Sequence, residues 1–343
     1  MFLCYNHGVE SKRLIYYDLL KALLIVFVVL GHVFEIFIDN GLIKSAYLTI
    51  YSFHMPLFVF ISGFFARWGK SRFFAYLIMF VAFSIVPKFG FSLITNSITL
   101  KSVLDSILSP SWGMWFLLVL PFWNLSLLVV KKVKLYHVAI SIAIALVVGF
   151  IPFVGEVLSL GRMFYFFPFF LTGKLCGQNK DKFNQFIEQS QTLFKKFISV
   201  IILLATLMVF VFIFKDASID LFYGKAAYLS PSDCLIRLLC LEAGFLNGLA
   251  FMILIPLTND YSSILKNFSL LGKKTLSIYI FHIFVLMAVK ELCKCYLPIE
   301  LSSNLFFILS FSVSLTIIIV FITSRKFFVK IVDFFLKRVT KNL

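Results

Sequence analysis

The residues best suited to catalysis are His32 and Glu35, which lie one helical turn apart in an apolar stretch that also holds Asp18 and Lys21. At about 100° per residue, Lys21 and His32 differ by about 20° around a helix axis, and Asp18 and Glu35 fall within about 60° of His32. These side chains therefore share one stripe of a predicted helix. Because a charge that faces lipid costs several kcal/mol, the stripe is predicted to face protein or a watery cavity.

A second histidine, His54, opens the next apolar stretch only a short loop further on. Two imidazoles at a similar depth, with Glu35 one turn from His32, predict a centre that handles protons, with a histidine as general base. The plainer alternative is that these groups only pair across helices. A metal site needs a third ligand, which no HxxH or HExxH spacing supplies, so no metal is predicted.

Several cations occur where a substrate could meet them. Arg67, Lys70 and Arg72 lie close together between two apolar stretches, where they could bind the phosphates of a nucleotide-bearing donor or simply mark the cytoplasmic side. Lys88 lies within a predicted span and is a candidate for function, although a long lysine can also snorkel. Arg162 begins another apolar stretch, where it could hold an acceptor, stabilise an oxyanion or anchor the helix end.

These residues must be positioned by membrane-spanning helices. Of the 343 residues, 61% are apolar and 14% are charged, against roughly 25% charged in a soluble domain. Lipid offers no partner for an unpaired backbone group, so apolar tracts of this length are predicted to be helices. The sequence predicts a single all-α polytopic domain over residues 1–343, with about ten spans. They lie near 19–38, 47–66, 73–94, 113–130, 135–153, 162–177, 196–214, 238–257, 274–289 and 304–324.

The net charge of +16 is unevenly distributed along the chain. If the N-terminus is cytoplasmic, the segments on that side hold 23 of the 32 Lys and Arg residues. This positive-inside bias predicts that both termini are cytoplasmic and makes nucleic-acid binding unnecessary. Lys21 is then near the cytoplasmic surface, and His32 lies about 16 Å further along the helix, in the outer half.

The apolar stretches carry short motifs in a characteristic order. They are Asp18-Leu19-Leu20-Lys21 with Val28-Val29-Leu30-Gly31-His32, Phe53-His54-Met55-Pro56-Leu57-Phe58 with Ile61-Ser62-Gly63, Trp115-Phe116-Leu117, Arg162 with Phe167-Pro168-Phe169-Phe170-Leu171-Thr172-Gly173, and Leu276-Ser277-Ile278-Tyr279-Ile280-Phe281-His282. Together they resemble the acyltransferase 3 family of bacterial membrane O-acyltransferases, especially the branch akin to fucose 4-O-acetylases. Lys21 stands where the family usually has arginine, which keeps the charge but loses the bidentate fork.

The resemblance implies a protein of the bacterial inner membrane in which acetyl-CoA is the donor and His32 is the catalytic histidine. The hypothesis is that His32, oriented by Glu35, activates a sugar hydroxyl that attacks the thioester; an acyl-histidine intermediate is the variant ranked second. The predicted donor-binding residues are Asp18, Lys21, Arg67, Lys70, Arg72 and Lys88. The predicted acceptor-binding residues are His54, Trp115, Arg162 and His282.

Two other classes of protein fit part of the pattern. A transporter of a small solute or lipid-linked sugar would line its route with the same intramembrane charges, although no repeat relates the two halves of the sequence. A structural scaffold for envelope assembly would leave the polar stripe around His32 dispensable. Only an enzyme would release or transfer the acyl group of acetyl-CoA.

Overall fold

A computed structural model of the chain describes residues 12–88, 99, 108, 110, 112–155, 157–214, 219–225, 227–258, 261–296, 298, 301 and 304–341. All regular secondary structure in these residues is helical, which confirms the predicted all-α class. The α-helices are α1 (Lys12–Phe34), α2 (Gly41–Phe64), α3 (Lys70–Phe80), α4 (Trp115–Val129), α5 (Leu135–Val147), α6 (Leu160–Gln178), α7 (Lys180–Ser190), α8 (Leu193–Phe212), α9 (Ile219–Phe222), α10 (Ser232–Leu254), α11 (Ser263–Gly272), α12 (Thr275–Tyr296), α13 (Leu305–Thr323) and α14 (Lys326–Lys341).

Seven helices in the described part of the chain are long and apolar enough to cross a membrane, which indicates a multi-pass membrane protein. They are Ile15–Phe37, Gly41–Phe64, Lys70–Lys88, Leu193–Phe212, Ser232–Leu254, Thr275–Tyr296 and Leu305–Thr323. Seven of the ten predicted spans coincide with them. The remainder of the predicted third span, beyond Lys88, lies outside the described residues.

The other three predicted spans coincide with helices that do not meet this criterion. The helix α4 has 15 residues and α5 has 13, so at about 1.5 Å per residue each is shorter than a hydrocarbon core of about 30 Å. The helix α6 has 19 residues but includes Arg162, Lys174 and Gln178, which lower its hydropathy.

The helix α2 begins six residues earlier than predicted, because Asn40 caps it. The side-chain oxygen of Asn40 accepts hydrogen bonds from the backbone N–H groups of Leu42 and Ile43, at 3.1 and 3.2 Å. Asparagine is a preferred residue at this position, since its side chain satisfies donors that have no partner within the helix. The connection between α1 and α2 is therefore a single 3₁₀ turn, Glu35–Phe37, and a few further residues.

The described residues form two compact units. The first lies within Met1–Phe58, Asn179–Ala217 and Cys240–Val329, and the second within Val59–Gln178, Ser218–Leu239 and Lys330–Leu343. Each unit is built from segments that are distant in sequence.

In the first unit, α1 is enclosed by other helices. It packs against α11, α12 and α13, and its side chains from Tyr16 to Ala22 are all buried. The closest approach is at Gly272 in α11, where an added methyl group would overlap the backbone carbonyl oxygen of Asp18. A helix surrounded in this way can carry polar residues that lipid would not tolerate, because its neighbours cover them.

In the second unit, the end of α2 crosses α6 with the two backbones in contact. A methyl group added at Gly63 would overlap the carbonyl oxygen of Phe170, and one added at Gly173 would overlap that of Phe60. Small residues permit such close helix crossings in membranes. The glycines of two of the sequence motifs are therefore explained by packing.

Candidate active site

The side chains of His32 and Glu35 form an ion-pair contact in the first unit. Nδ1 of His32 lies 3.2 Å from Oε1 of Glu35, within ion-pair distance but without the geometry of a hydrogen bond, and the two side chains keep 19% and 22% of their surface exposed. The same carboxylate oxygen accepts a hydrogen bond of 3.0 Å from the hydroxyl of Tyr47, a buried residue. The pair is thus held from one side and accessible to a reactant from another.

The connection between α1 and α2 brings these three residues together. Glu35 opens the 3₁₀ turn that follows α1, and the early start of α2 returns the chain so that Tyr47 lies beside the end of α1. The ring of Tyr47 passes over Gly31, where an added methyl group would be in ordinary contact with it at 3.6 Å. The sequence Gly31-His32 is thus packed against the tyrosine that also holds Glu35.

His282, on α12, is the imidazole that lies against His32. The two ring centroids are 5.3 Å apart and the rings are tilted by 36°. Nδ1 of His282 lies 3.0 Å from the carbonyl oxygen of Ile278, so Nδ1 carries the hydrogen and donates it. Nε2 is then an acceptor, and it is buried without a hydrogen-bond partner among the described residues.

His54 is buried on α2, with its ring edge-on to Tyr51 at 5.2 Å between centroids. Its Nδ1 lies 2.8 Å from the carbonyl oxygen of Ile50, which again makes Nε2 the acceptor. His54 also interacts electrostatically with His32 and Glu35. His32, His54 and His282 therefore form one neighbourhood, in which His282 makes the ring contact with His32.

Asp18 and Lys21 form a second pair on α1. Nζ of Lys21 lies 2.6 Å from Oδ1 of Asp18, and each side chain is only 7% exposed. The predicted polar stripe is therefore present on α1 and its extension as two separate i, i+3 pairs. A lysine with a carboxylate at this distance is already neutralised locally, so its predicted part in donor binding stays a prediction.

The remaining predicted residues lie in the second unit. The guanidinium carbon of Arg162 is 5.4 Å from the ring centroid of Trp115 and 5.4 Å from that of Tyr223. Arg67 and Lys70 are exposed and Arg72 is half-buried, around the start of α3, and Lys88 is half-buried where the described part of that helix ends. The structure thus brings Arg162 to Trp115 and leaves Arg67 and Lys70 exposed at the start of α3.

Two tyrosines with a place in these sites were missed by the sequence analysis. Tyr47 was overlooked because the connection before it was predicted to be longer, although Asn40 is a recognisable helix cap. Tyr223 lies in a short segment without a motif, and only the folded chain places it beside Arg162. No group of three metal-binding side chains occurs in the described ranges.

The comparisons with known proteins identify the family of the chain. The sequence matches the acyltransferase domain family over residues 14–323. The nodulation protein NolL of Sinorhizobium fredii (strain NBRC 101917 / NGR234) is 29% identical over 192 residues, 49% of this chain and 50% of that protein. The chain thus spans about half the length of this curated relative, and no solved structure matches it. Since the family match covers most of the sequence, the chain belongs to the acyltransferase 3 family.

Proposed function

We propose that this protein transfers an acetyl group from cytosolic acetyl-CoA to a sugar hydroxyl of a surface polysaccharide or lipid-linked glycan, in the bacterial inner membrane. Family membership supports membrane O-acyltransferase activity in general. The observation that carries the proposal is the contact of His32 Nδ1 with Glu35 at 3.2 Å. A carboxylate close to Nδ1 stabilises the imidazolium that forms when Nε2 takes up a proton, which favours His32 as a general base.

The proposed reaction has two proton transfers, both at Nε2 of His32. Nε2 takes the proton of the sugar hydroxyl as its oxygen bonds to the thioester carbonyl carbon, giving a tetrahedral intermediate and an imidazolium. Glu35 stabilises that imidazolium. The intermediate then collapses, the carbon–sulfur bond breaks, and the departing CoA sulfur receives the proton from His32. The products are the sugar ester and free CoA.

The other predicted residues have binding roles in this proposal. Arg67, Lys70 and Arg72, with Lys88, would bind the donor phosphates, because guanidinium and ammonium groups are preferred phosphate ligands. Asp18 and Lys21 would contribute to donor binding through their charge. The acceptor would be bound by the predicted set of His54, Trp115, Arg162 and His282.

The test is an acetyl-transfer assay with purified protein, radiolabelled acetyl-CoA and a glycan acceptor. His32→Ala is expected to reduce acetyl release by about 10²- to 10⁴-fold, the usual contribution of a general base. His137→Ala is the matched control, since His137 lies in the other unit on α5 and caps that helix. A correctly folded His32→Ala protein with full activity would remove His32 from the mechanism.

The same assay separates enzyme from transporter. A transporter that carried a sugar past these side chains would leave acetyl-CoA intact, whereas an acyltransferase hydrolyses or transfers its acetyl group. Label that stays on the protein after denaturation would favour the acyl-histidine variant over direct attack.

A further inference from the structure

Arg162 is a cation without a counter-ion among the described residues. It lies in the first turn of α6, and its Nε is buried without a hydrogen-bond partner. None of the ion pairs in the described part of the chain includes it. A guanidinium has five N–H donors and stays charged at any physiological pH. Because a buried donor without an acceptor is costly, such a residue is suited to receive an anion.

Two aromatic rings flank this guanidinium. The ring centroids of Trp115 and Tyr223 each lie 5.4 Å from its central carbon, and Trp115 is stacked with Phe166 at 5.2 Å between ring centroids. A cation–π contact is an attraction to the ring face and uses none of the N–H donors. The rings therefore hold Arg162 while leaving its donors available to a ligand.

The backbone around Arg162 is shaped to bring Tyr223 to it. A methyl group added at Gly161 would overlap the carbonyl oxygen of Gly224, so these two segments touch through their backbones. Gly224 has a φ of +67° and lies against the ring of Tyr165. Only glycine fits both the left-handed conformation and the close approach.

The chain just before α6 is also strained. Leu158 and Ser159 have φ values of 50° and 56°, a conformation that costs about 1–3 kcal/mol for residues other than glycine. Strain of this kind persists where the surrounding structure determines it, and it is common near ligand sites.

Arg237 in the same unit shows what a structural arginine looks like here. It also lies over tyrosine rings, those of Tyr165 and Tyr228, but its Nη1 donates to the carbonyl oxygen of Ala145 at 3.3 Å. It is 1% exposed, whereas Arg162 is only half-buried. Nε is buried without a hydrogen-bond partner in both arginines, but Arg237 also donates a hydrogen bond from Nη1 to the backbone, whereas no hydrogen bond from Arg162 is found among the described residues.

We propose that Arg162, with Trp115 and Tyr223, binds an acidic group of the acceptor sugar, either a uronate carboxylate or a sugar phosphate. Both groups present two oxygens that a guanidinium can bind through parallel hydrogen bonds. The identification of the anion as part of the acceptor rests on the proposed function. The existence of an oxyanion site at Arg162 does not.

The experiment measures thermal stabilisation of the purified full chain in detergent by glucuronate, glucose 1-phosphate, inorganic phosphate, glucose and acetyl-CoA, each added alone. Wild type is expected to be stabilised by at least one acidic sugar and not by glucose. Arg162→Gln should lose that shift, and Arg162→Lys should bind about tenfold more weakly, because it keeps the charge without the fork. Arg325→Gln, which removes an exposed arginine of the other unit, should behave as wild type.

The arms of the experiment identify the anion. Stabilisation by glucuronate alone identifies the anion as a uronate, and stabilisation by glucose 1-phosphate alone identifies it as a sugar phosphate. Stabilisation by both supports a site that binds either acidic group of a sugar. The proposal is overturned if glucose works equally well, if inorganic phosphate alone works, if acetyl-CoA alone gives the Arg162-dependent shift, or if Arg162→Gln keeps the shift. If Arg162→Gln does not fold, Arg162→Lys decides, and full retention of binding there counts against the bidentate site. The sugar arms contain no acetyl-CoA, so a failure of the proposed transfer reaction would be seen separately.

Discussion

Glu35 touches His32 at Nδ1, 3.2 Å from its Oε1, and so leaves the other ring nitrogen for a substrate. A carboxylate in this position stabilises the imidazolium that forms during proton transfer. The activity of His32 should therefore depend on the charge of Glu35 and on the groups that hold it.

Glu35→Gln is expected to reduce kcat for acetyl transfer by about 10²-fold with little change in protein yield. The amide keeps the shape of the side chain but removes the charge that stabilises protonated His32. Glu291→Gln is the matched control, because Glu291 is exposed and pairs with Lys294 at 2.7 Å. Steady-state kinetics of both variants check this, and equal rates would show that Glu35 does not orient the base.

Tyr47→Phe should lower kcat about tenfold and leave KM for both substrates nearly unchanged. The substitution removes only the hydroxyl that donates to Glu35 at 3.0 Å, and a hydrogen bond to a charged group is worth about 1.5–3 kcal/mol. Tyr296→Phe serves as control, since Tyr296 is 80% exposed. A rise in KM without a fall in kcat would instead place Tyr47 in substrate binding.

His282 should contribute through its unpartnered Nε2. His282→Gln keeps a polar group near Nε2, whereas His282→Asn keeps one near Nδ1, which bonds to Ile278. We expect His282→Asn to lower kcat/KM for the acceptor at least tenfold. His282→Gln should lower it less, because only glutamine keeps a hydrogen-bond acceptor near the position of Nε2. Acceptor kinetics at saturating acetyl-CoA give the comparison. The reverse order would mean that the bond to Ile278 matters more than Nε2.

The catalytic face of α1 could be predicted from the sequence, and its neighbours could not. Helical spacing places His32 and Glu35 together because His32 lies in the last turn of α1 and Glu35 opens the 3₁₀ turn that continues it. The contact with His282 joins residues 250 positions apart, and the motif around His282 indicated an acceptor role without a location. The contact with Tyr47 depends on where α2 begins, which is set by the cap at Asn40.

The pairing of the predicted donor-binding residues Asp18 and Lys21 could not be predicted from the sequence either. The spacing of Asp18 and Lys21 placed them on the stripe of His32, but spacing alone does not say which side chains within a stripe pair. The 2.6 Å contact between them follows from their i, i+3 separation and from the burial of α1 by its neighbours. A lysine exposed to water could remain free for a phosphate, whereas a buried one requires a local counter-ion.

Lys21→Met is expected to destabilise the protein by about 3–5 kcal/mol, because it removes the ammonium group that lies 2.6 Å from the buried carboxylate of Asp18. The double variant Asp18→Asn/Lys21→Met should recover most of that loss, since both charges are removed together. Unfolding of purified protein in detergent measures both variants. The double variant also separates roles, because recovered stability with a raised KM for acetyl-CoA would support donor binding by the pair. A double variant as unstable as the single one would show that Lys21 does not act through Asp18.

Gly63→Ala should destabilise the second unit by about 1–3 kcal/mol, the usual cost of overpacking a tight contact. The added methyl group would overlap the carbonyl oxygen of Phe170, and a backbone carbonyl cannot rotate away as a side chain can. Gly41→Ala is the matched control on the same helix, because no atom lies within 4 Å of a methyl group there. Thermal unfolding of the two variants in one detergent gives the test. Since alanine is the better helix former, Gly41→Ala should be neutral or slightly stabilising, and equal melting temperatures for both variants would contradict a backbone contact between α2 and α6.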